Sequence, residues 1–240
     1  MTAEWIKLRT LRSTWWCLAA LAVLTAGLGT IMAGAAAEAA RSGERLEPVA
    51  ASLQGGLLFG QVAIGVLGVL AVTSEYAGAT MRTSVLAVPR RGRLFLAKCA
   101  VVGSLGTAAG LLTAVASFLI GQHVFTVSGL PHATLGDPGA LRSVLGAGLY
   151  LGMLGLFGLA TGFLVRSTAG GVIVVVSATV LVIAILRLLP EWVSRIWPTV
   201  AGLSILSPDG DLWGFALYTA FVAVTLAAGL SVFYRRDAGA

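Results

Sequence analysis

Residues 143–186 read SVLGAGLYLGMLGLFGLATGFLV, then Arg166 and Ser167, then TAGGVIVVVSATVLVIAIL, and Arg166 is the only charged residue among them. Each apolar run has roughly the length that an α-helix needs to cross the hydrocarbon core of a bilayer, about 20 residues. The two-residue break suits a tight turn between antiparallel helices. This stretch therefore predicts a membrane hairpin with Arg166 at one surface of the bilayer.

The rest of the chain repeats this pattern. Of its 240 residues 58% are hydrophobic and 11% charged, and a mean hydropathy of +0.94 leaves too little polar surface to coat a soluble globule. We predict an all-α integral membrane fold, one transmembrane domain over residues 1–240, with spans near 15–36, 53–72, 99–121, 143–165, 168–186 and 212–234. The run 196–208 is bracketed by Pro198 and Pro208 and is too short to cross, so it is predicted to be interfacial or re-entrant.

Charge placement predicts the orientation of these spans. One side holds both termini, 11 of the 16 Lys and Arg residues and three of the ten acids, while the other side holds five basic and seven acidic residues. Cytoplasmic loops carry the excess of Lys and Arg, so both termini are predicted to be cytoplasmic. Because the basic residues sit at helix ends, anionic headgroups explain them and no nucleic-acid partner is expected.

Residues 1–14 are predicted to form a helix on the membrane surface. The side chains of Trp5, Leu8, Leu11 and Trp15 fall within an arc of about 120° at helical spacing. A basic flank that only fixes the topology is an equally good interpretation of this segment. The residues that we assign to this surface helix are Trp5, Lys7, Leu8, Arg9 and Arg12.

Several chemistries are excluded by what the sequence lacks. The only lysines, Lys7 and Lys98, follow Ile6 and Ala97, so the chain has no Gly-Lys-Ser/Thr loop to hold the phosphates of ATP. The six predicted spans hold no carboxylate, histidine or arginine, which ion-coupled carriers usually keep at membrane depth. Both histidines fall outside the spans, so an intramembrane hydrolase is also disfavoured. We therefore expect no enzyme in this chain.

The predicted cytoplasmic loop 73–98 joins the second and third spans. Glu75 at the C-terminal end of a span would be disfavoured by the helix dipole. We therefore predict that the helix breaks at Thr73-Ser74 and that a separate short helix runs from Glu75 to Ala87, with Pro89 as its stop. We hypothesise that Glu75 and Arg82 meet partners outside this helix.

Three places in the chain resemble the permease subunits of ABC-2 type transporters. The first is Glu4-Trp5-Ile6-Lys7-Leu8-Arg9-Thr10 through Arg12-Ser13-Thr14, which is similar to the family's entry helix. The second is Ser74-Glu75-Tyr76 through Arg82-Thr83, then Pro89-Arg90-Arg91 and Lys98, which resembles its first cytoplasmic loop. The third, Arg166-Ser167-Thr168-Ala169-Gly170, is similar to its turn between spans four and five.

This resemblance implies a type V exporter-like permease fold in a bacterial plasma (inner) membrane. It implies a separate ABC ATPase that carries the ATP and magnesium, no cofactor in this chain, and a second permease chain as a homodimer or heterodimer. The loop would act as a coupling helix that docks on the ATPase. The implied interface consists of Glu75, Tyr76, Thr80, Met81, Arg82, Thr83, Pro89, Arg90 and Arg91.

The leading interpretation is a permease that exports a hydrophobic or amphipathic small molecule with ATP hydrolysed by a separate subunit. A non-transporting membrane anchor or regulatory protein is the main alternative, because a basic loop can also bind lipid or a partner. An ion-coupled exporter is the third, and the absence of charge from the predicted spans counts against it.

Overall fold

The computed structural model describes residues 12–78, 91–186 and 196–236, together with Ile6, Leu188, Pro190 and Val193. Every regular element in the described residues is helical. In chain order the elements are α1 (Arg12–Arg41), α2 (Pro48–Ala77), α3 (Arg91–Val127), α4 (Ala140–Val165), α5 (Thr168–Val176), a π-helical turn (Ser177–Leu181), α6 (Val182–Leu186), α7 (Pro198–Gly202), a 3₁₀ turn (Leu203–Leu206) and α8 (Leu212–Arg236).

Five of the six predicted spans are single helices that are long and apolar enough to cross a membrane: α1, α2, α3, α4 and α8. The predicted span near 168–186 is instead a helical stretch that contains the π-helical turn, and its crossing stays a prediction. The turn between α4 and α5 consists of Arg166 and Ser167, as predicted.

The centre of the bundle is the contact between α2 and α4. Of the most apolar window of each helix, 67% is buried in α2 and 72% in α4, against 17% in α8. The two backbones touch through glycines, because a Cβ added at Gly68 would overlap the carbonyl oxygen of Gly155, and one added at Gly158 would overlap that of Gly65. Small residues at helix interfaces permit this close approach in membranes.

Glycines four residues apart in sequence also lie at the contact of α3 with α4. A Cβ on Gly106 would lie 3.4 Å from the Cα of Gly152, and a Cβ on Gly110 would lie 2.9 Å from the carbonyl oxygen of Gly148. These small residues let α3 pack closely against α4.

The run 196–208 does not form a span. It contains α7 followed directly by the 3₁₀ turn, and we call it the 196–208 segment. Pro198 occupies the first turn of α7, where its missing N–H leaves no helical hydrogen bond unmade. Gly139, which precedes α4 with φ +80°, lies against Pro208 at the C-terminal end of this segment, since a Cβ there would lie 2.6 Å from the Cβ of Pro208. The 196–208 segment therefore packs against the bundle.

The predicted helix break at Thr73-Ser74 is wrong. The hydroxyls of Thr73 and Ser74 donate to the carbonyl oxygens of Val69 and Leu70, at 3.1 and 2.6 Å, so both are satisfied within a continuous helix that ends at Ala77. Glu75 gains its compensating charge from Lys98 and needs no helix N-terminus. Because α2 ends at Ala77 and α3 begins at Arg91, the connection between them is residues 78–90 and not the predicted 73–98.

Parts of the sequence-based assignment fall outside the described residues. These are the surface-helix positions Trp5, Lys7, Leu8 and Arg9, and the loop positions Thr80, Met81, Arg82, Thr83, Pro89 and Arg90. Arg12 begins α1 and is exposed, and the backbone of Arg91 begins α3. The surface helix and the coupling helix stay predictions.

The glycine contact between α2 and α4 can be tested with Gly158→Ala. The new methyl group has no room beside the Gly65 carbonyl, so we expect a loss of about 1–3 kcal/mol, equivalent to a fall in the midpoint of thermal unfolding of about 3–10 °C. The measurement is thermal unfolding of the purified chain in mild detergent.

Gly103→Ala is the matched control for this substitution. Its Cβ would lie 3.4 Å from the flexible side chain of Leu156, so the midpoint should hardly move. Equal midpoints for the two variants would contradict the α2–α4 contact.

Candidate functional site

A buried ion pair joins the C-terminal end of α2 to α3. The Nζ of Lys98 lies 2.7 Å from the Oε1 of Glu75, and the side chains are only 2% and 8% exposed. The same Nζ also lies 3.5 Å from the carbonyl oxygen of Ala71. Because an unpaired buried charge is costly, each side chain depends on the other.

Arg166 adds a second contact at the same end of α2. Its guanidinium carbon lies 5.0 Å from the centre of the Tyr76 ring, in the geometry of a cation–π contact. Arg166 has φ +57°, in the left-handed region, and its backbone N–H donates to the carbonyl oxygen of Gly162. This conformation ends α4 in the manner of a glycine cap, although a side chain there costs about 1 kcal/mol.

The start of α5 is tied to α2 as well. The Oγ1 of Thr168 donates to the Oγ1 of Thr73 over 2.9 Å, and the Ser167 hydroxyl accepts from the N–H of Gly170 at 3.4 Å as the N-cap of α5. The end of α2 therefore contacts α3, the α4–α5 turn and the first residue of α5. We call this set the charged cluster: Thr73, Glu75, Tyr76, Lys98, Arg166 and Thr168.

The charged cluster brings together two of the three places that carry the family resemblance. Glu75 and Tyr76 belong to the first loop, and Arg166 belongs to the later turn. Glu75 meets a charge on another helix, and Arg82 lies outside the described residues.

Lys98 and Arg166 were not among the predicted site residues. The available signal was that each is a lone cation beside long apolar runs. The expectation of charge-free spans is corrected here, because α2 and α3 extend beyond the apolar runs and carry Glu75 and Lys98 with them.

A second polar group of residues lies in the middle of the bundle. The hydroxyl of Tyr150 donates to the Oε1 of Gln61 at 2.8 Å, and the Nε2 of Gln61 donates to the carbonyl oxygens of Leu58 and Thr179 at 2.9 and 3.4 Å. The Oγ1 of Thr199 donates to the carbonyl oxygen of Ala178 at 2.8 Å. Gln61 is therefore an interhelical hydrogen-bond partner.

These bonds explain the π-helical turn. A π-helical turn shifts the backbone hydrogen bonds from i−4 to i−5, and here the N–H of Val182 donates to the carbonyl oxygen of Ser177. The carbonyl oxygens of Ala178 and Thr179 accept from Thr199 and Gln61. Side chains of α7 and α2 thus support the turn.

A cavity of about 950 Å³ opens between α1, α2, the 196–208 segment and the start of α8. Its walls are mostly apolar, and they include Gln54 and Asp211. Gln54 is exposed to the cavity and makes no hydrogen bond within the described residues, in contrast to Gln61. The sequence alone did not reveal this cavity.

Comparison with known families was made on the whole chain. A family model described as "ABC-2 family transporter protein" matches residues 1–185, which is more than three quarters of the sequence. The chain belongs to the ABC-2 transporter family. Searches of curated proteins and of solved structures found no match.

Family membership and the five long apolar helices identify a multi-pass membrane protein and a transporter permease. The matched range contains the whole charged cluster. It ends before the 196–208 segment and α8, so the cavity wall formed by those two elements lies beyond the match.

The ion pair can be tested by a double-mutant cycle. Glu75→Gln alone should destabilise the ABC-2 permease by about 3–5 kcal/mol, because it leaves the Lys98 ammonium buried without its carboxylate. Lys98→Met alone should also be destabilising. The double variant should lose less than the sum of the two, and the coupling free energy should reach about 1–3 kcal/mol. The measurement is chemical or thermal unfolding in detergent.

The matched control is the exposed pair formed by Arg41 and Glu38, whose side chains are 51% and 72% exposed. A cycle on this pair should give a coupling of less than about 1 kcal/mol. Additive losses at Glu75 and Lys98 would mean that the buried pair does not form.

Proposed function

We propose that this chain is the membrane-spanning subunit of an ABC exporter in a bacterial plasma membrane, driven by ATP and magnesium on a separate ATPase. Family membership supports the permease role, and the excess of basic residues on the side of both termini supports a cytoplasmic loop 78–90. The substrate is a hydrophobic or amphipathic small molecule.

The observation that carries this proposal is the position of the charged cluster at the base of the loop. The loop leaves α2 at Ala77 and enters α3 at Arg91, and the pair of Glu75 and Lys98 bridges the two helices just inside those points. A force on the loop therefore moves the ends of α2 and α3 together. The loop positions from Thr80 to Arg90 supply the docking surface, and the charged cluster passes its movement into the bundle.

Arg166 extends this coupling to the second half of the bundle. Its contact with Tyr76 and the bond from Thr168 to Thr73 connect the α4–α5 turn to α2. Movement of the loop reaches four helices at one level. This arrangement suits a membrane subunit whose energy comes from outside its own chain.

A second permease chain is part of the proposal, and α1 offers a surface for it. Five small or β-branched side chains recur there at heptad spacing on the exposed face: Ala20, Val23, Gly27, Thr30 and Gly34. A Cβ added at Gly27 or Gly34 would meet nothing within 4 Å, unlike the glycines packed inside the bundle. Such a seam suits close packing against another membrane helix.

An ion-coupled exporter is the second candidate, because the bundle does hold a buried carboxylate and a buried ammonium. The two groups lie 2.7 Å apart and compensate each other, which favours a structural role over ion binding. Transport that persists after the proton and sodium gradients are collapsed, and that stops without ATP, would exclude this candidate. Transport of that kind would also exclude a passive anchor.

The loop interface can be tested with Arg82→Glu. We expect the native chain to co-purify with an ATP-binding protein in mild detergent. The amount of that partner recovered with the variant should fall at least about tenfold, while the yield and helix content of the variant stay normal. Arg41→Glu is the control, because Arg41 lies at the end of α1 that is proposed to face outward. If no ATP-binding protein co-purifies with the native chain, the ATPase partnership is wrong.

The α1 seam can be tested with Gly27→Ile combined with Gly34→Ile. Two large side chains would hold a partner helix away, so the variant should elute as a monomer where the native chain elutes as a dimer. Ala22→Ile introduces the same side chain at one exposed position off the seam and should leave the dimer intact. Light scattering coupled to size exclusion reads the mass, and a dimeric double variant would place the partner surface elsewhere.

A further inference from the structure

The cavity between α1, α2 and the 196–208 segment has the size and the lining of a ligand site. Its volume of about 950 Å³ lies at the upper end of the range for small-molecule sites, which is about 300–1,000 Å³. Met32 and Ala36 of α1, Leu58 of α2 and Val200 of α7 form apolar walls. Such walls suit the apolar part of an amphipathic molecule.

Gln54 places a polar side chain in the mostly apolar cavity wall. It lies six residues after Pro48, about 9 Å along α2, and makes no hydrogen bond within the described residues. The other two glutamines of α2 and α3 are fully engaged. Gln61 bonds Tyr150 and Thr179, and Gln122 donates to Pro48 and Ser52 and accepts from Ala133. A carboxamide left open in a membrane helix is costly unless a ligand or water satisfies it.

Asp211 gives the cavity a charge. It is the only ionisable residue among the described residues that line the cavity, and it is exposed. Its Oδ1 accepts from the N–H of Trp213 at 2.9 Å, and its carbonyl oxygen accepts from the Ser204 hydroxyl at 2.8 Å. Within the described part of the chain its Oδ2 accepts no hydrogen bond, so one oxygen of this cavity-lining carboxylate is available to a ligand.

We propose that this cavity binds a cationic amphipathic molecule, with its positive group at Asp211, a hydrogen-bonding group at Gln54 and its apolar body against α1 and α2. This inference rests on the proposed export function and specifies the charge of the substrate. In the proposed orientation the cavity lies in the outer half of the membrane, where an exporter releases its substrate. Trp213 is 74% exposed beside it, as is common for tryptophan at the membrane boundary.

The test uses the chain alone in nanodiscs of zwitterionic lipid, with rhodamine 6G as the probe. This fluorescent dye carries a positive charge, N–H donors and a large apolar ring. Fluorescence anisotropy should show saturable binding beyond that of empty nanodiscs. Fluorescein, which has the same ring system but a negative charge, should show none.

Two substitutions locate the bound probe. Asp211→Asn keeps a good N-cap residue for α8 but removes the charge, and it should weaken binding of rhodamine 6G by about twofold to fivefold. Gln54→Leu should weaken it by about threefold to tenfold through loss of a hydrogen bond. Asp209→Asn is the matched control, because Asp209 is an exposed carboxylate two residues away that does not line the cavity.

A third variant separates a ligand from a second chain as the occupant. Ala36→Trp places a large ring in the cavity and should weaken binding of rhodamine 6G while the mass of the dimer stays unchanged. Loss of the dimer would show that another permease chain covers the cavity, which would overturn the proposal. Equal binding of fluorescein, or unchanged binding by Asp211→Asn, would overturn it too.

This experiment fails independently of the proposed function. No ATPase is present, so binding of the cation without a co-purifying ATP-binding protein would leave the site in place and remove the ATP-driven role. Co-purification of an ATPase without binding of the cation would support the ATP-driven role and overturn the proposed cation site.

Discussion

The close approach of α2 and α4 is the constraint on which the rest of the bundle depends. Their backbones touch where Gly65 and Gly68 face Gly155 and Gly158, and no side chain fits between them. Because these two helices are the most buried, the positions of α1, α3 and α8 follow from packing around them. The same contact places Tyr76, at the end of α2, beside Arg166, at the end of α4.

Apolar length predicted five of the six spans because it acts locally along the chain. The sequence also placed the α4–α5 turn at Arg166 and Ser167, and it identified the 196–208 segment as too short to cross. It misjudged the end of α2 because a charge usually marks the end of an apolar run. Glu75 is tolerated inside the helix because Lys98, 23 residues later in the chain, compensates its charge.

The parts of the site that depend on contacts between distant segments could not be predicted in this way. The π-helical turn depends on donors from Gln61 and Thr199, which lie 118 and 21 residues from the carbonyl groups that they reach. The cavity forms where α1 and the 196–208 segment pack against α2. In the sequence, Gln54 and Gln61 are equivalent glutamines in one apolar helix, and only the packing shows that one is engaged and the other is open.

Helix α2 connects all of these features. It carries Glu75 in the charged cluster, Gln61 in the middle of the bundle and Gln54 in the cavity wall, over about 31 Å of one continuous helix. Gln61 also connects α2 to Tyr150 and to the π-helical turn, and Thr199 bonds the 196–208 segment to the same turn. Under the proposed function, a displacement of the α2 end at the loop would shift one wall of the cavity directly, and it would shift the wall formed by the 196–208 segment through these hydrogen bonds. Loading and release of a ligand would follow the movement of the loop without any charged relay through the membrane.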